Sequence, residues 1–512
     1  MERAANIFSD YESLRTENQS LKSVIEQSAQ RIALYNEEVS HLYEIIRKMK
    51  REAFGPRRER WESNEQVLLF NEAESCAAKQ KAALESEVVV PAHTRKRGKR
   101  KPLPQNLPRE VVVIDLPEAE KVAPDGSPLR MMGEEVSEKL VFEPAVMKIV
   151  EYHRLKYGGV EGADTVKIAA VPPCIIPKGI ATSSLLAQIV TSKFADGLPL
   201  YRQEEQFERL GIDIHRSTMG RWIIQAAQTC QGIWNALEGR LMSERYVTCD
   251  ETPVQVLKEK NRKAESKSWM WVRATPAADK KIVLFDYDPS RSGDVAKKLF
   301  AEYQGCFQAD GYGAYNVLEQ NAGIIRIGCN MHGRRKFFDA AEGSEKGQSL
   351  ATEGLDYYHK LYAIEKMAKE LSFSNRHALR QKEAAPLWSA MHEWALKSNE
   401  SVPPKSKIGK AFHYFLTEYE YLCGYLKDGC LEMDNGFTER AIKYFAIGRK
   451  NWMFSDTVAG ANSSSIFYSF VVTAKLNGVD PYQAMKKIFG EVPLATTADD
   501  YDRLADMLLG IT

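Results

Sequence analysis

Two strand-like segments that each carry an aspartate constrain the fold of this chain more than any other feature. They read RYVTCDETPVQVL, with Asp250, and GCFQADGYGAY, with Asp310. We predict that each strand ends on its aspartate. A later segment, LEMDNGFTERAIKYFAIGRKN, predicts a capped helix with Glu439 in its first turn or so. Carboxylates from two strands and a helix suit a site in which two divalent ions, about 4 Å apart, catalyse phosphoryl transfer.

Local readings of the same residues remain open. Glu439 and Lys443 are four residues apart, so they also fit an ordinary ion pair on a solvated helix. Glu251 competes with Asp250 as a ligand, because side chains alternate along a strand and only one of the two neighbours can face the site. Asp434 is a further carboxylate at the start of the helix.

Cations crowd both the predicted helix and the segment CNMHGRRKF, which follows a fifth predicted strand. Clustered Arg and Lys next to carboxylates suit a site that binds a polyanion together with a metal. The alternative for the second cluster is a polar helix face that caps the core. The candidate phosphate-binding residues are Arg440, Lys443, Arg449, Lys450, His332, Arg334, Arg335 and Lys336.

Length and composition narrow the class of protein. A chain of 512 residues is expected to hold several domains. We find no run of 18 apolar residues and no secretory signal, and the eight scattered cysteines form no CxxC pair, so we expect free thiols in a reducing cytoplasm. Because the net charge is only +1, nucleic acid would have to bind local basic patches.

A heptad pattern between residues 14 and 49 predicts a parallel two-stranded coiled coil, which would make the protein a homodimer or a higher homo-oligomer. Leu14, Leu21 and Leu42 belong to one apolar series, and Asn18 is a polar member of the other. We assign residues 1–56 to this leucine-zipper-like helix. A long amphipathic helix that folds back on its own domain is the alternative.

Residues 57–106 are predicted to be a linker with an extended basic arm. The arm, TRKRGKRKPLP, contains Gly98 and Pro102 and therefore cannot form a regular helix. It is typical of segments that lie along phosphates or in a minor groove, although a merely solvated charge run is the alternative. Its candidate DNA-binding residues are Arg95, Lys96, Arg97, Lys99, Arg100 and Lys101.

Residues 173–240 predict a helix-turn-helix-like DNA-binding region. The segment LYRQEEQFERLGIDIHRSTMGRWIIQAA reads as helix, turn and helix, with Ser217 or Thr218 as the cap of the second helix. Arg216 and Arg221 lie near the start of that possible recognition helix. A helical hairpin packed on the core is nearly as good an interpretation.

The remaining segments predict a multidomain α/β protein. Residues 241–342 would form the first part of a mixed-sheet core with the order β-β-β-α-β-α. Residues 343–430 are strongly helical and predict an all-helical insertion, because the interval between Asp310 and Glu439 is far longer than a connection within a compact domain. Residues 431–490 would complete the core, and residues 491–512 would be a C-terminal tail.

Several blocks together resemble the transposases of the insertion-sequence-66 type. In order they are CDETPVQVL, QADGYGAYN, CNMHGRRKF, DNGFTERA, IGRKNWMF and AKLNGVDPY, and the likeness runs over roughly residues 10–490. The resemblance implies a DDE transposase with a ribonuclease H-like core and with Asp250, Asp310 and Glu439 as its catalytic, metal-binding triad. It further implies Mg²⁺ (or Mn²⁺), double-stranded DNA at transposon ends and targets, residence in the bacterial cytoplasm and on the nucleoid, and accessory small proteins of the same element.

One departure from the family concerns zinc. The small β-rich module at residues 107–172 matches a region that carries zinc-ribbon cysteines in the family, whereas Ala123 and Gly158 stand about where ligands would be. Structural zinc needs four Cys or His ligands, so we expect no zinc there.

Two other functions stay open: a metal-dependent nuclease or resolvase with the same core, and a catalytically inactive DNA-binding relative.

Overall fold

A computed structural model describes residues 149–150, 156–158, 166–168, 173–177, 179–341 and 349–511. The predicted coiled coil, the basic arm and most of the β-rich module lie outside these residues. The described residues fall into two units that divide between Ala170 and Val171. In the smaller unit, β1 (Lys156–Gly158) pairs antiparallel with β2 (Val166–Ile168).

The described part of the larger unit starts with four helices. They are α1 (Ser183–Phe194), α2 (Leu200–Arg209), α3 (Arg216–Thr229) and α4 (Gln231–Met242). The second helix of the predicted helix-turn-helix starts two or three residues earlier than expected, because the His215 imidazole, rather than the hydroxyl of Ser217 or Thr218, is the cap and accepts the hydrogen bond from the Ser217 amide. Met219, Trp222 and Ile223 pack into the core of this unit.

A six-stranded mixed sheet follows. Five strands lie in the spatial order β5-β4-β3-β6-β7, in which β4 is antiparallel to β3 and β5, whereas β3, β6 and β7 are parallel. β8 pairs in parallel with the far end of β3. The strands are β3 (Tyr246–Lys258), β4 (Lys267–Ala274), β5 (Val283–Asp288), β6 (Gly305–Ala309), β7 (Ile324–Gly328) and β8 (Ser455–Thr457).

The first strand is longer than predicted. The expectation that it ends on Asp250 is wrong, since β3 continues for eight residues to Lys258. Antiparallel pairing with β4 from Thr248 to Gln255 holds this extension in place. β6 does end as expected, with Asp310 directly after Ala309.

Connections between the strands follow the predicted order with one addition. Helix α5 (Gly293–Leu299) follows β5, and α6 (Asn330–Ala341) follows β7. A 3₁₀ helix at Gly313–Gln320, which the sequence did not indicate, joins β6 to β7. The described part of the chain is therefore α/β with a mixed sheet.

The segment between α6 and the helix of Glu439 is helical, and it has a hydrophobic core of its own. Trp388, Phe412 and Phe415 are among its fully buried residues. Its helices are α7 (Leu350–Ala368), α8 (Phe373–Leu379), a π-turn at Arg380–Ala384, α9 (Ala385–Asn399), α10 (Lys407–Leu422) and a 3₁₀ turn at Gly424–Lys427.

The C-terminal part consists of α11 (Gly436–Trp452), α12 (Val458–Leu476), α13 (Pro481–Glu491), a short 3₁₀ helix (Val492–Leu494) and α14 (Ala498–Leu509). Helix α12 covers the edge strand β5: the Phe285 amide donates to the Ser469 hydroxyl (2.8 Å). Such a cover satisfies edge groups that would otherwise pair with another chain.

Residues 491–512, expected as a tail, instead include α14. The apolar face of this helix is buried, and the Arg240 guanidinium on α4 donates to Asp506 on α14 (2.6 Å). None of the helices described is long and apolar enough to cross a membrane.

Candidate active site

The parallel pairing of β3 with β6 brings the two aspartates together. Thr248 lies opposite Gln308, and continuing that register by two residues places Asp250 opposite Asp310. The two carboxylates therefore occupy neighbouring positions on one face of the sheet. The Asp310 carboxylate accepts a hydrogen bond from the Tyr312 amide (3.0 Å), which fixes it at the strand end.

Helix α11 docks on the same face. The hydroxyls of Thr248 and Thr438 lie 2.6 Å apart, and both residues are buried. The side-chain amide of Asn435 donates to the Cys249 carbonyl oxygen (2.8 Å). Asn435 and Thr438 lie at the start of α11, just before Glu439. Their contacts with Cys249 and Thr248 therefore hold the start of the helix beside the part of β3 that carries Asp250.

An unpaired stretch of the β3 edge makes room for this helix. β6 pairs with the start of β3 and β8 with its end, while α11 runs between them. The Arg449 guanidinium donates to the Pro253 carbonyl and to the Thr252 hydroxyl. Nearer the start of β3, the Asn435 side chain donates to the Cys249 carbonyl in the same way. Pro253, which has no N–H, is tolerated in the strand because it lies at this open edge.

The charges of Glu439 and Asp310 reach Asp250, although burial and the adjacent Glu251 act on its pKa more strongly. Burial, followed by the charges of Glu251, Glu439 and Asp310, raises the pKa of Asp250 to about 8. The pKa of Glu439 is also raised, mainly by burial, although Arg335, Lys443 and Arg440 oppose the shift. Half-buried acids in mutual repulsion are a favourable place for a cation.

Glu251 faces the other side of the sheet. Its carboxylate accepts hydrogen bonds from the Tyr315 hydroxyl and the Arg291 guanidinium. Arg291 in turn lies over the ring of Tyr312, 3.8 Å from its centroid. Glu251 is thus held by a buried ion pair, whereas Asp250 forms no ion pair with any residue in the described ranges.

A second group of possible ligands adjoins Glu439. Among the described residues, Cys329, His332 and Glu439 place one ligand atom each within 4.8 Å of the others, and the three predicted acids do not form so tight a set. Burial raises the pKa of the Cys329 thiol, and its sulfur accepts a hydrogen bond from the Asn435 amide (3.3 Å). A protonated, hydrogen-bonded thiol is a poorer ligand for a hard cation than a carboxylate.

His332 differs from the phosphate-binding cation that the sequence predicted. Burial lowers the pKa of its imidazole, which favours the neutral form. Its buried Nδ1 has no hydrogen-bond partner among the described residues. The ring is therefore suited to accept a proton or a metal, or to donate one hydrogen bond, better than to neutralise phosphate.

The remaining predicted phosphate contacts separate into two groups. Arg335, Lys336, Arg440, Lys443 and Lys450 are exposed, and Arg334 is half-buried beside the Phe338 ring. Arg449 is instead tied to β3, and burial lowers the pKa of its guanidinium.

Arg216 and Arg221, which precede the sheet in the sequence, lie on the exposed side of α3. The Arg216 guanidinium lies 3.9 Å from Glu204 on α2, and Arg221 donates to the Thr218 hydroxyl. These contacts are compatible with either a DNA-reading helix or a helical hairpin. The six cations of the basic arm lie outside the described residues.

Sequence reasoning missed the residues that position the site. Asn435 is the N-cap residue of α11, yet its side chain makes no capping hydrogen bond and donates to β3 instead. Thr438 carried no signal beyond its place in the helix. Cys329 was included in a motif but given no role. No local pattern could reveal these contacts, because their partners lie 106 to 190 residues away.

Comparison with known proteins adds the family. The model described as "Transposase IS66 family" matches residues 178–463, which is more than half of the chain, and includes all three acids. A second model, described as "Transposase C of IS166 homeodomain", matches residues 41–112.

Three curated relatives, all from Sinorhizobium fredii (strain NBRC 101917 / NGR234), carry the description "uncharacterized protein". Protein y4jD is 31% identical over 77% of this chain and 79% of its own. Protein y4qI is 30% identical over 92% and 89%, and y4hP is 28% identical over 85% and 83%. The matched model and these relatives show that the chain belongs to the IS66 family of transposases.

Proposed function

We propose that this protein is a DDE transposase that cleaves DNA at transposon ends and transfers the strands to a target. The observation that carries the proposal is the meeting of Asp250 and Asp310, in register on adjacent parallel strands, with Glu439 on a helix docked against the same face. The strand order and the antiparallel second strand support a ribonuclease H-like core.

The three acids fit divalent metal ions. They are oxygen donors, two of them have raised pKa values, and none forms an ion pair with a residue in the described ranges. Asp250, Asp310 and Glu439 would hold Mg²⁺ or Mn²⁺, which when bound supply activation of a hydroxyl nucleophile and stabilisation of the leaving oxygen.

The protein groups around the acids have separable tasks in this proposal. The Tyr312 amide fixes the Asp310 carboxylate, and Asn435 and Thr438 fix the helix that carries Glu439. Arg335 and Arg440, both exposed and close enough to influence the pKa of Glu439, would position DNA phosphates.

No cavity is needed for such a substrate. A cavity of 550 Å³ does lie in the larger unit, among residues of α4, β5 and α12, but Asp250, Asp310 and Glu439 do not line it. A long polyanion would bind along an exposed surface that is lined by cations, as the acids and the basic face of α11 provide.

The test is a strand-transfer assay on a labelled duplex with the terminal sequence of the element that encodes the protein. We expect Glu439→Gln to bind the duplex but to form no joined product with Mg²⁺ or Mn²⁺, because the amide cannot replace an anionic ligand. Lys487→Gln, on α13, is the matched surface control and is expected to transfer strands normally.

Three outcomes would change the assignment. Cleaved but unjoined DNA from the wild type, with the neighbouring small proteins of the element added, would favour a nuclease or resolvase. Binding without any cleavage under those conditions would favour an inactive DNA-binding relative. Equal transfer by wild type and Glu439→Gln would remove Glu439 from the site.

A further inference from the structure

The junction between α11 and β8 exposes two large apolar side chains. Met453 is 69% exposed and Phe454 is 44% exposed. Only these two residues separate the helix from the strand, and Trp452 just before them is packed against Phe445. The half-buried Trp452 is therefore followed directly by two apolar side chains that are exposed to solvent.

The backbone at this junction is strained. Met453 has φ 66° and ψ −52°, and the Phe454 amide donates to the Trp452 carbonyl (2.9 Å). This is a γ-turn of the rare type with positive φ, a conformation that costs energy for any residue with a side chain. Glycine would relieve the strain, yet a methionine occupies the position.

A basic stripe leads from the acids to this junction. The exposed face of α11 carries three cations at helical spacing, Arg440, Lys443 and Lys450, with Tyr444 between them. Arg440 and Lys443 are both exposed, so their charges are open to a polyanion.

Two independent lengths agree on the distance from the acids to the turn. Fourteen residues of helix separate Glu439 from Met453, which is about 21 Å at 1.5 Å per residue. Along β3, six residues separate Asp250 from Val256, the partner of Ser455, which is about 20 Å at 3.3 Å per residue. Duplex DNA rises 3.4 Å per base pair, so this distance is about six base pairs.

From these observations we propose that Met453 and Phe454 form a wedge that inserts between stacked base pairs of the bound DNA, about six base pairs from the phosphate at the acids. Apolar side chains beside cations are what proteins insert into base steps to unstack and bend a duplex. The two residues are anchored on both sides, by α11 before them and by β8, which pairs with β3, after them. The proposal rests on the DNA-cleaving function proposed above.

The experiment places 2-aminopurine, whose fluorescence rises on unstacking, at successive single positions of the terminal duplex. With wild-type protein in EDTA, which prevents cleavage, we expect a several-fold rise at the probe about six base pairs from the cleaved phosphate. Phe454→Ala is expected to lose most of that rise, whereas Phe454→Trp is expected to keep it.

Two further variants separate a wedge from a structural role. Met453→Gly is expected to raise the melting temperature by relieving the turn while it lowers the fluorescence rise. Met367→Ala removes from α7 a side chain whose exposure (60%) lies between those of Phe454 and Met453, and it is expected to change neither the melting temperature nor the fluorescence rise.

The proposal is overturned if Phe454→Ala leaves the fluorescence unchanged, or if the rise maps next to the cleaved phosphate. A wild type that transfers strands without any fluorescence rise sinks the wedge alone. A wild type that binds no terminal duplex at all sinks both the wedge and the proposed function. If Phe454→Ala keeps the wild-type fluorescence rise but no longer binds a protein that the wild type binds, the two exposed side chains serve protein binding instead.

Discussion

Replacing Asp250 by asparagine should stabilise the metal-free protein and at the same time abolish its response to metal. The pKa of Asp250 is raised from 3.8 to about 8, so the native protein holds this proton more tightly than the unfolded chain does. The contribution of the protonated carboxyl to stability is then fully present below about pH 4 and is lost as the pH rises through about 8.

The size of the effect follows from the shift. One pKa unit corresponds to about 1.4 kcal/mol, so the ionised carboxylate of Asp250 costs the native protein at most about 5 kcal/mol at about pH 8. Asparagine is uncharged at every pH. The free energy of unfolding of Asp250→Asn should therefore exceed that of the wild type by an amount that grows from near zero at about pH 4 to this limit.

The assay is urea unfolding of EDTA-treated protein across this pH range, followed by melting with and without Mg²⁺ or Mn²⁺. The wild type is expected to gain stability from metal, because bound ions favour the ionised acid, and Asp250→Asn is not. Asp456→Asn, at an exposed carboxylate, is the control and should behave as wild type in both. If Asp250→Asn destabilises the metal-free protein at about pH 8, burial and the neighbouring acids do not disfavour the ionised carboxylate and the reasoning fails.

Three other predictions test the surroundings of the site. Cys329→Ser should leave the metal-induced rise in melting temperature unchanged if the acids rather than the thiol hold the ions, and loss of that rise would favour the Cys329 group. Asn435→Ala should lower the free energy of unfolding by about 1–3 kcal/mol in urea titration, because it leaves the buried Cys249 carbonyl without a donor; an unchanged value would show that α11 is held elsewhere. Glu251→Gln should destabilise by a similar amount through its bond to Arg291 yet keep the metal response, and loss of that response would place Glu251 among the ligands.

Much of the core followed from residue patterns. The strand-like runs around Asp250 and Asp310, the helix of Glu439 and the helical stretch after α6 are all present. Local rules succeed there because strand propensity, helix capping and apolar periodicity act within a few residues. The same rules placed the end of β3 wrongly, since the partner strand β4, and not the local sequence, decides how far β3 extends.

The choice between the two neighbouring acids needed the structure. Alternation along β3 says that Asp250 and Glu251 face opposite sides, but it does not say which side holds Glu439. Two contacts decide it: Thr248, of the same parity as Asp250, meets Thr438 on α11, whereas Glu251 meets Tyr315 on the opposite face. The charge pattern likewise predicted a phosphate contact for Arg449, whereas its guanidinium donates to the Thr252 hydroxyl at the edge of β3.

The helical insertion is the longest interruption between the acids, yet the structure couples it to the third one. The Tyr362 hydroxyl on α7 donates to the Asp434 carboxylate (2.8 Å), whose other oxygen accepts from the Gly436 amide at the start of α11. Glu439 lies one turn further on. Whatever displaces α7 therefore acts on the first turn of α11 before it acts on the strands that carry the aspartates. The insertion also reaches the second acid, because the Glu418 carboxylate on α10 accepts from Arg326 (2.9 Å), whose guanidinium lies 3.5 Å from the Asp310 carbonyl oxygen. A partner or DNA segment that moves the insertion would therefore act on Glu439 through α7 and on Asp310 through α10.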